Sequence, residues 1–317
     1  MKNNIKSGNM RLKKVHTMIW LLGGIMLAGV VACSGDDDTS STKENDQKNE
    51  VKLRRLTITE TEGNASARQV ITRAILNENG GLSASWKAGD GLTYCNLSRM
   101  NAMNYEIYSG PLTASSTATI SQFTGNVTCI KGDYLAVVYP ATSFVTNDNY
   151  SLSLSGQDGT LGTLASSFHY VYGKAYVESI TDETANATMM KMKSLLTVCK
   201  FSFKDKATNE DIPVSTLAIS YGGSGSDQNT YPQSATVAIS YLTEQSDVHA
   251  SGVAGNSPLI VNASGQTEVY VALLPTSGQR TYNFTVTNPS GTYTGTAKAT
   301  LTEGEFVAAT GLKLNKQ

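Results

Sequence analysis

The sequence predicts an all-β protein built as two tandem β-sandwich domains, and three observations lead there. The 317 residues are 40 % apolar and only 16 % charged, with 28 glycines and 15 tyrosines. That mix favours strands and turns over helices. Apolar residues alternate with polar ones over short runs, the period of a half-buried strand. Clusters of glycine, asparagine and aspartate separate these runs at close intervals, as turns do.

Residues 51–60 form the first predicted strand, with Leu56 and Ile58 alternating against Thr57 and Thr59 and with Leu53 expected to pack beside them. A polar stretch containing Arg68 and Arg73 follows, then the turn-forming Asn77-Glu78-Asn79-Gly80-Gly81. Short strand candidates continue through Trp86, Tyr105 and Val127. The unbroken apolar run Tyr134-Leu135-Ala136-Val137-Val138-Tyr139 stops at Pro140, the mark of a strand covered on both faces. Polar residues 181–187 supply the best interior linker, so the first domain is placed at 51–187 and the second at 188–317. In the second, Phe201 and Phe203 share one face of a strand, and clean alternation recurs at Leu217-Ile219-Tyr221, Val269-Val271-Leu273 and Tyr282-Phe284-Val286. The segment from Asp133 to Ser143 is similar to that from Glu268 to Ser277, an acid, an apolar strand and a proline stop in each, which suggests duplication.

The first 50 residues are of another kind. Lys13 and Lys14 precede the uninterrupted apolar residues 18–32, which read as a secretory signal peptide over residues 1–32. Val30-Val31-Ala32-Cys33 resembles the lipobox of bacterial lipoproteins, in which the cysteine is acylated and becomes the mature N-terminus. Residues 33–50 then read as a lipidated, flexible tether without an apolar side chain after Cys33. Asp36, Asp37 and Asp38 resemble the acidic signal that sends some lipoproteins to the outer face of the outer membrane.

Charge and cysteine content exclude several functions. Residues 1–32 carry five basic residues and no acid, so the remainder stands at −6, five below the −1 of the whole chain. An acidic exported protein lacks the basic face that nucleic acid requires. Cys95, Cys129 and Cys199 are an odd number with no CxxC spacing; they read mainly as small buried residues, and one pair at most could bridge.

Taken in order, the lipobox and tether, Thr72-Arg73-Ala74, Ser85-Trp86-Lys87-Ala88-Gly89-Asp90, the Tyr139-Pro140 strand end, the segment from Met192 to Phe201 and Val271-Ala272-Leu273-Leu274-Pro275 resemble the fimbrillin family, the subunits and accessory proteins of type V fimbriae. The resemblance covers nearly the whole chain. It implies two transthyretin-like β-sandwiches exported as an outer-membrane lipoprotein, and a structural or accessory role in cell-surface fimbriae and adhesion. It implies other fimbrial subunits as partners, a host or bacterial surface ligand, and no cofactor. It also implies assembly by donor-strand exchange, in which an arginine-specific protease cuts behind the first strand and a neighbour's strand takes its place. Residues 51–60 match the removable strand, Arg68 or Arg73 the cut, and residues 306–314 the donor. Arg54 and Arg55 lie inside the strand and are expected to be shielded from the protease.

Nothing in the sequence spells out an enzyme. His169 and His249 are the only histidines after the signal peptide, without HExxH or GxSxG. His169 beside Tyr170 reads as a strand surface residue rather than a metal ligand. Asp90 and Asp133 could suggest a glycosidase pair, but both stand where strands meet turns, a position aspartate favours for backbone hydrogen bonding alone. The competing reading is a monomeric surface lipoprotein that binds glycans or host ligands, although Trp86 is the only tryptophan after the signal peptide.

Overall fold

The computed structural model describes residues 50–62, 75–78, 82–100, 109–146 and 149–317. Cys33, Asp36, Asp37, Asp38, Arg68 and Arg73 lie outside them. Strands follow one another along the chain as β1 (Lys52–Thr61), β2 (Ile75–Glu78), β3 (Leu82–Ser85), β4 (Gly91–Asn96), β5 (Ser109–Ala114), β6 (Gln122–Cys129), β7 (Tyr134–Tyr139), β8 (Phe144–Thr146), β9 (Asn149–Ser153), β10 (Val171–Ile180), β11 (Thr184–Met190) and β12 (Lys193–Ser194). They continue as β13 (Thr197–Asp205), β14 (Val214–Tyr221), β15 (Ser234–Ala238), β16 (Ala250–Gly252), β17 (Leu259–Gln266), β18 (Val269–Leu273), β19 (Arg280–Asn288), β20 (Gly291–Ala299) and β21 (Phe306–Lys316). The fold is all-β, as the alternation predicts.

Strands β1, β6, β5, β4, β7, β10 and β11 pair in that order, and β11 pairs back to β1, so the sheet closes on itself as a barrel. Closure leaves these strands no free edge. Every pairing is antiparallel except β1 with β11, where Arg55 faces Thr184 and Thr61 faces Met190. Leu56, Ile58, Trp86, Phe123, Leu135, Val137 and Met189 are among the residues filling the interior. Glycine is required at position 125, opposite Leu56, because a Cβ there would stand 2.5 Å from the Pro111 carbonyl oxygen.

The second large sheet runs β17-β14-β19-β20-β21-β13-β18. β21 lies parallel to β13 and meets β20 only at Tyr293 and Thr294. Its ends are closed by a plug. The Asn262 N–H donates to the Gln157 carbonyl at 3.1 Å and the Tyr270 N–H to the Gly159 carbonyl at 2.9 Å, so residues 157–159 bridge β17 and β18. The buried Gln157 amide copies a strand, accepting from the Ala272 N–H at 2.7 Å and donating to its carbonyl at 3.0 Å.

A smaller sheet, β16-β15-β9-β8, is woven from both parts of the chain, with Leu152 of β9 facing Ala235 of β15. Ala136, Val138 and Tyr172, on the outer faces of β7 and β10, enter one continuous core with Tyr150, Phe201, Phe203, Tyr231 and Val271. That is why β7 is apolar at every position: its odd-numbered residues fill the barrel and its even-numbered ones the second core. Cys95, Cys129 and Cys199 are buried free thiols, and burial pushes them up to about 12, 11 and 12. Substituting Gln157→Leu strips partners from the Ala272 N–H and carbonyl, and should cost roughly 2–4 kcal/mol in urea unfolding. A loss below about 0.5 kcal/mol would mean that the amide does not hold the seam.

Candidate functional site

The site of interest is the slot in the barrel that β1 occupies. Parity decides what points inward. Arg54, Leu56, Ile58 and Glu60 lie on one face of the strand and are buried, whereas Leu53 lies on the other and is 62 % exposed. The expected packing through Leu53 is therefore replaced by two charged side chains, at 1 % and 2 % exposure.

Glu60 ends the inward face. Its Oε2 accepts from Trp86 Nε1 at 3.0 Å and from the Ser121 N–H at 3.3 Å, and its Oε1 accepts from the Met192 N–H at 3.1 Å. These three donors come from the β3–β4 turn, the start of β6 and the exit of β11, so one carboxylate ties three parts of the barrel to β1. Trp86 is held in turn by edge-on contacts with Phe123, ring centres 5.0 Å apart, and with Tyr139 at 5.5 Å. The turn after it is fixed by Asp90, whose Oδ2 accepts from the Lys87 N–H at 2.7 Å, and by Gly89 at φ +91°. Burial pushes the Asp90 carboxyl up, against the Lys87 N–H bond that lowers it.

Arg54 begins the same face. Its Nε donates to the Thr181 carbonyl at 2.8 Å, and its Nη1 donates to the carbonyls of Cys129 and, at 3.0 Å, Glu50. Nη2 is buried and finds no partner among the described residues. The slot thus offers carbonyl oxygens at one end and N–H donors at the other, with an apolar floor between them. Burying Leu56 and Ile58 contributes about 1.5–3 kcal/mol each. Each buried donor left without its acceptor would cost a further 1–3 kcal/mol or so. Arg55 is exposed on the outer face, but its backbone is paired on both sides.

Other sequence candidates have structural surroundings. Asp133 accepts from Arg99 at 2.7 Å, from Asn96 Nδ2 at 2.8 Å and from the Ile130 N–H at 3.0 Å, which seals the β6–β7 turn. His169 is not a surface residue: it is 1 % exposed, directly after the π-helical turn Leu164–Phe168. His249 Nδ1 lies 2.8 Å from Glu303, which also pairs with Lys193 at 2.8 Å. No group of three or more metal-ligating side chains occurs among the described residues. The predicted donor, residues 306–314, is laid into its own chain's sheet as β21.

A separate cleft of about 700 Å³ opens on the second sheet, with Asn283, Thr285, Thr294, Thr296, Lys313 and Asn315 in its lining. It offers hydroxyls, amides and an ammonium group. Phe284 also lines it, but that side chain belongs to the core.

Charged Arg54 and Glu60 escaped the sequence reading because charged residues are ordinarily exposed. The available signal was their spacing at i, i+2, i+4 and i+6 with Leu56 and Ile58.

No family model matches the chain, and no curated protein matches it. Among solved structures, it is similar to the shaft pilin SpaA of Lactobacillus rhamnosus GG at 10 % identity, over 84 % of this chain and 98 % of that one, with a TM-score of 0.33. A streptococcal ancillary pilin is similar at 12 % identity over 84 % and 69 % of the two chains, TM-score 0.31. So is a protein from Bacteroides eggerthii assigned provisionally to cell adhesion, at 12 % identity over 84 % and 88 %, TM-score 0.35.

Replacing Glu60 by Gln keeps the shape but turns an N–H₂ group toward N–H donors. Glu60→Gln should lower stability by about 2–4 kcal/mol. Trp86→Phe in that background should cost less than in the parent, a coupling that a double-mutant cycle in urea would measure. Strict additivity of the two losses would show that the carboxylate and the indole act independently.

Proposed function

We propose that the chain is a structural or accessory subunit of cell-surface fimbriae, anchored in the outer membrane through an acylated Cys33 and assembled by replacement of its first strand. One observation carries the reading: β1 lies between β6 and β11 in a closed barrel, and the chain leaves it through a segment that contains Arg68 and Arg73. A cut there leaves β1 attached to the rest by hydrogen bonds and packing alone. Its departure would expose two unpaired strand edges above an apolar floor, a strong template for another strand. The resemblance of the sequence to fimbrillins supports the same reading. Lipobox, polar tether and Asp36-Asp37-Asp38 supply its address at the outer surface. Adhesion to a host or bacterial surface belongs to the same proposal. The alternative of a monomeric ligand-binding lipoprotein rests on the polar cleft of the second sheet, which lacks an exposed ring for stacking on a sugar.

Limited trypsin treatment should yield a fragment beginning at Gln69 or Ala74 that is soluble at first and later forms polymers visible by electron microscopy. The Arg68→Ala, Arg73→Ala double variant should resist that cut and remain monomeric. Polymerisation of the double variant as readily as the parent would sink the proteolytic switch. For the anchor, Cys33→Ala should abolish incorporation of an alkyne fatty acid and release the protein from membranes. Undiminished labelling would rule out acylation at Cys33.

A further inference from the structure

Any strand can supply the backbone groups that β6 and β11 require, and many can supply two aliphatic side chains between them. Far fewer can satisfy the two ends of this slot. At one end the carbonyls of Thr181 and Cys129 accept from the Arg54 guanidinium. At the other, Trp86 Nε1 and the N–H groups of Ser121 and Met192 donate to the Glu60 carboxylate. A strand without these two groups would leave buried donors and acceptors facing nothing, which is costlier than losing an exposed contact.

From this we infer that the slot selects a strand with a basic residue, two aliphatic residues and a carboxylate at alternate positions, and that β21 of a second copy does not qualify. The inference rests on the strand-exchange reading above and names the partner of that same slot. The C-terminal strand β21 does not fit in either direction. Phe306–Lys316 contains basic residues, Lys313 and Lys316, but no carboxylate side chain to pair with them across the slot. Run in reverse, Glu303 and Glu305 precede the strand, and the positions six residues beyond them are Ala309 and Gly311, neither of them basic. The two aliphatic positions do not compensate, because it is the polar ends that discriminate.

Fluorescent peptides offered to the trypsin-nicked full chain test this, with incorporation read by size-exclusion chromatography in urea below the unfolding midpoint. A peptide of residues 50–62 should enter. Its Glu60→Gln and Arg54→Met versions should bind weaker by about tenfold or more, and a peptide of residues 305–317 should stay out. Equal entry of the two substituted peptides, or entry of the 305–317 peptide, overturns the selectivity and leaves strand exchange standing. Exclusion of the 50–62 peptide itself overturns strand exchange and the selectivity together.

Discussion

A carboxylate buried at one end of β1 and a guanidinium buried at the other determine how the first barrel closes. Leu56 and Ile58 alone would specify which face of the strand turns inward, since a slip of one residue exposes both. They would not forbid a slip of two, which keeps the parity and exchanges one aliphatic position for the next. Glu60 and Arg54 do forbid it. Moving the strand by two residues carries the carboxylate away from Trp86, Ser121 and Met192, and the guanidinium away from Thr181 and Cys129. Buried charges add little net stability when compared with an apolar pair of equal volume, but breaking one is expensive. That asymmetry suits a strand whose position must be single-valued.

The rest of the molecule is built onto that barrel through shared elements. The outer faces of β7 and β10 enter the second core, β9 pairs with β15, and Gln157 fills the gap between β17 and β18. None of these joins touches β1, whose neighbours β6 and β11 lie elsewhere in the ring. The end of β1 reaches the second part of the chain indirectly, since the Lys191 N–H donates to the Thr61 carbonyl and the Lys191 carbonyl accepts from Gln245 Nε2 at 2.7 Å.

Much of this was legible in the sequence, and the boundary is physical. Alternation and turn chemistry located β1, β13, β18 and β19, because a strand half-buried by its sheet has to alternate. The doubly covered β7 announced itself by its unbroken apolar run. What alternation cannot supply is the partner of each strand. The parallel pairings of β1 with β11 and β21 with β13, and the pairing of β9 with β15, join residues far apart in the chain. Leu53 was assigned to the interior by its apolarity when its parity with Leu56 sends it out. Arg54 and Glu60 carry charge, which hides from the eye that their parity with Leu56 and Ile58 brings them in. Cys33, the three aspartates, Arg68 and Arg73 were legible only as sequence, since they lie outside the described residues.

The tether changes what a cut can accomplish. While residues 63–74 are intact, β1 is held near its slot at an effective concentration of the order of millimolar or above, so a strand that leaves returns. Cutting at Arg68 or Arg73 removes that advantage without removing a single hydrogen bond of the barrel. The two aliphatic side chains, the carboxylate and the guanidinium still resist departure, and spontaneous loss of β1 stays slow. An incoming strand that satisfies the same groups one after another lowers that resistance, because no stage leaves all the buried partners empty. The fragment that departs carries Cys33 as well as β1. Under the anchoring at Cys33 proposed above, displacing the strand would open the slot and sever the membrane attachment in the same event, and until then the cut protein would be held at the membrane by the packing of β1.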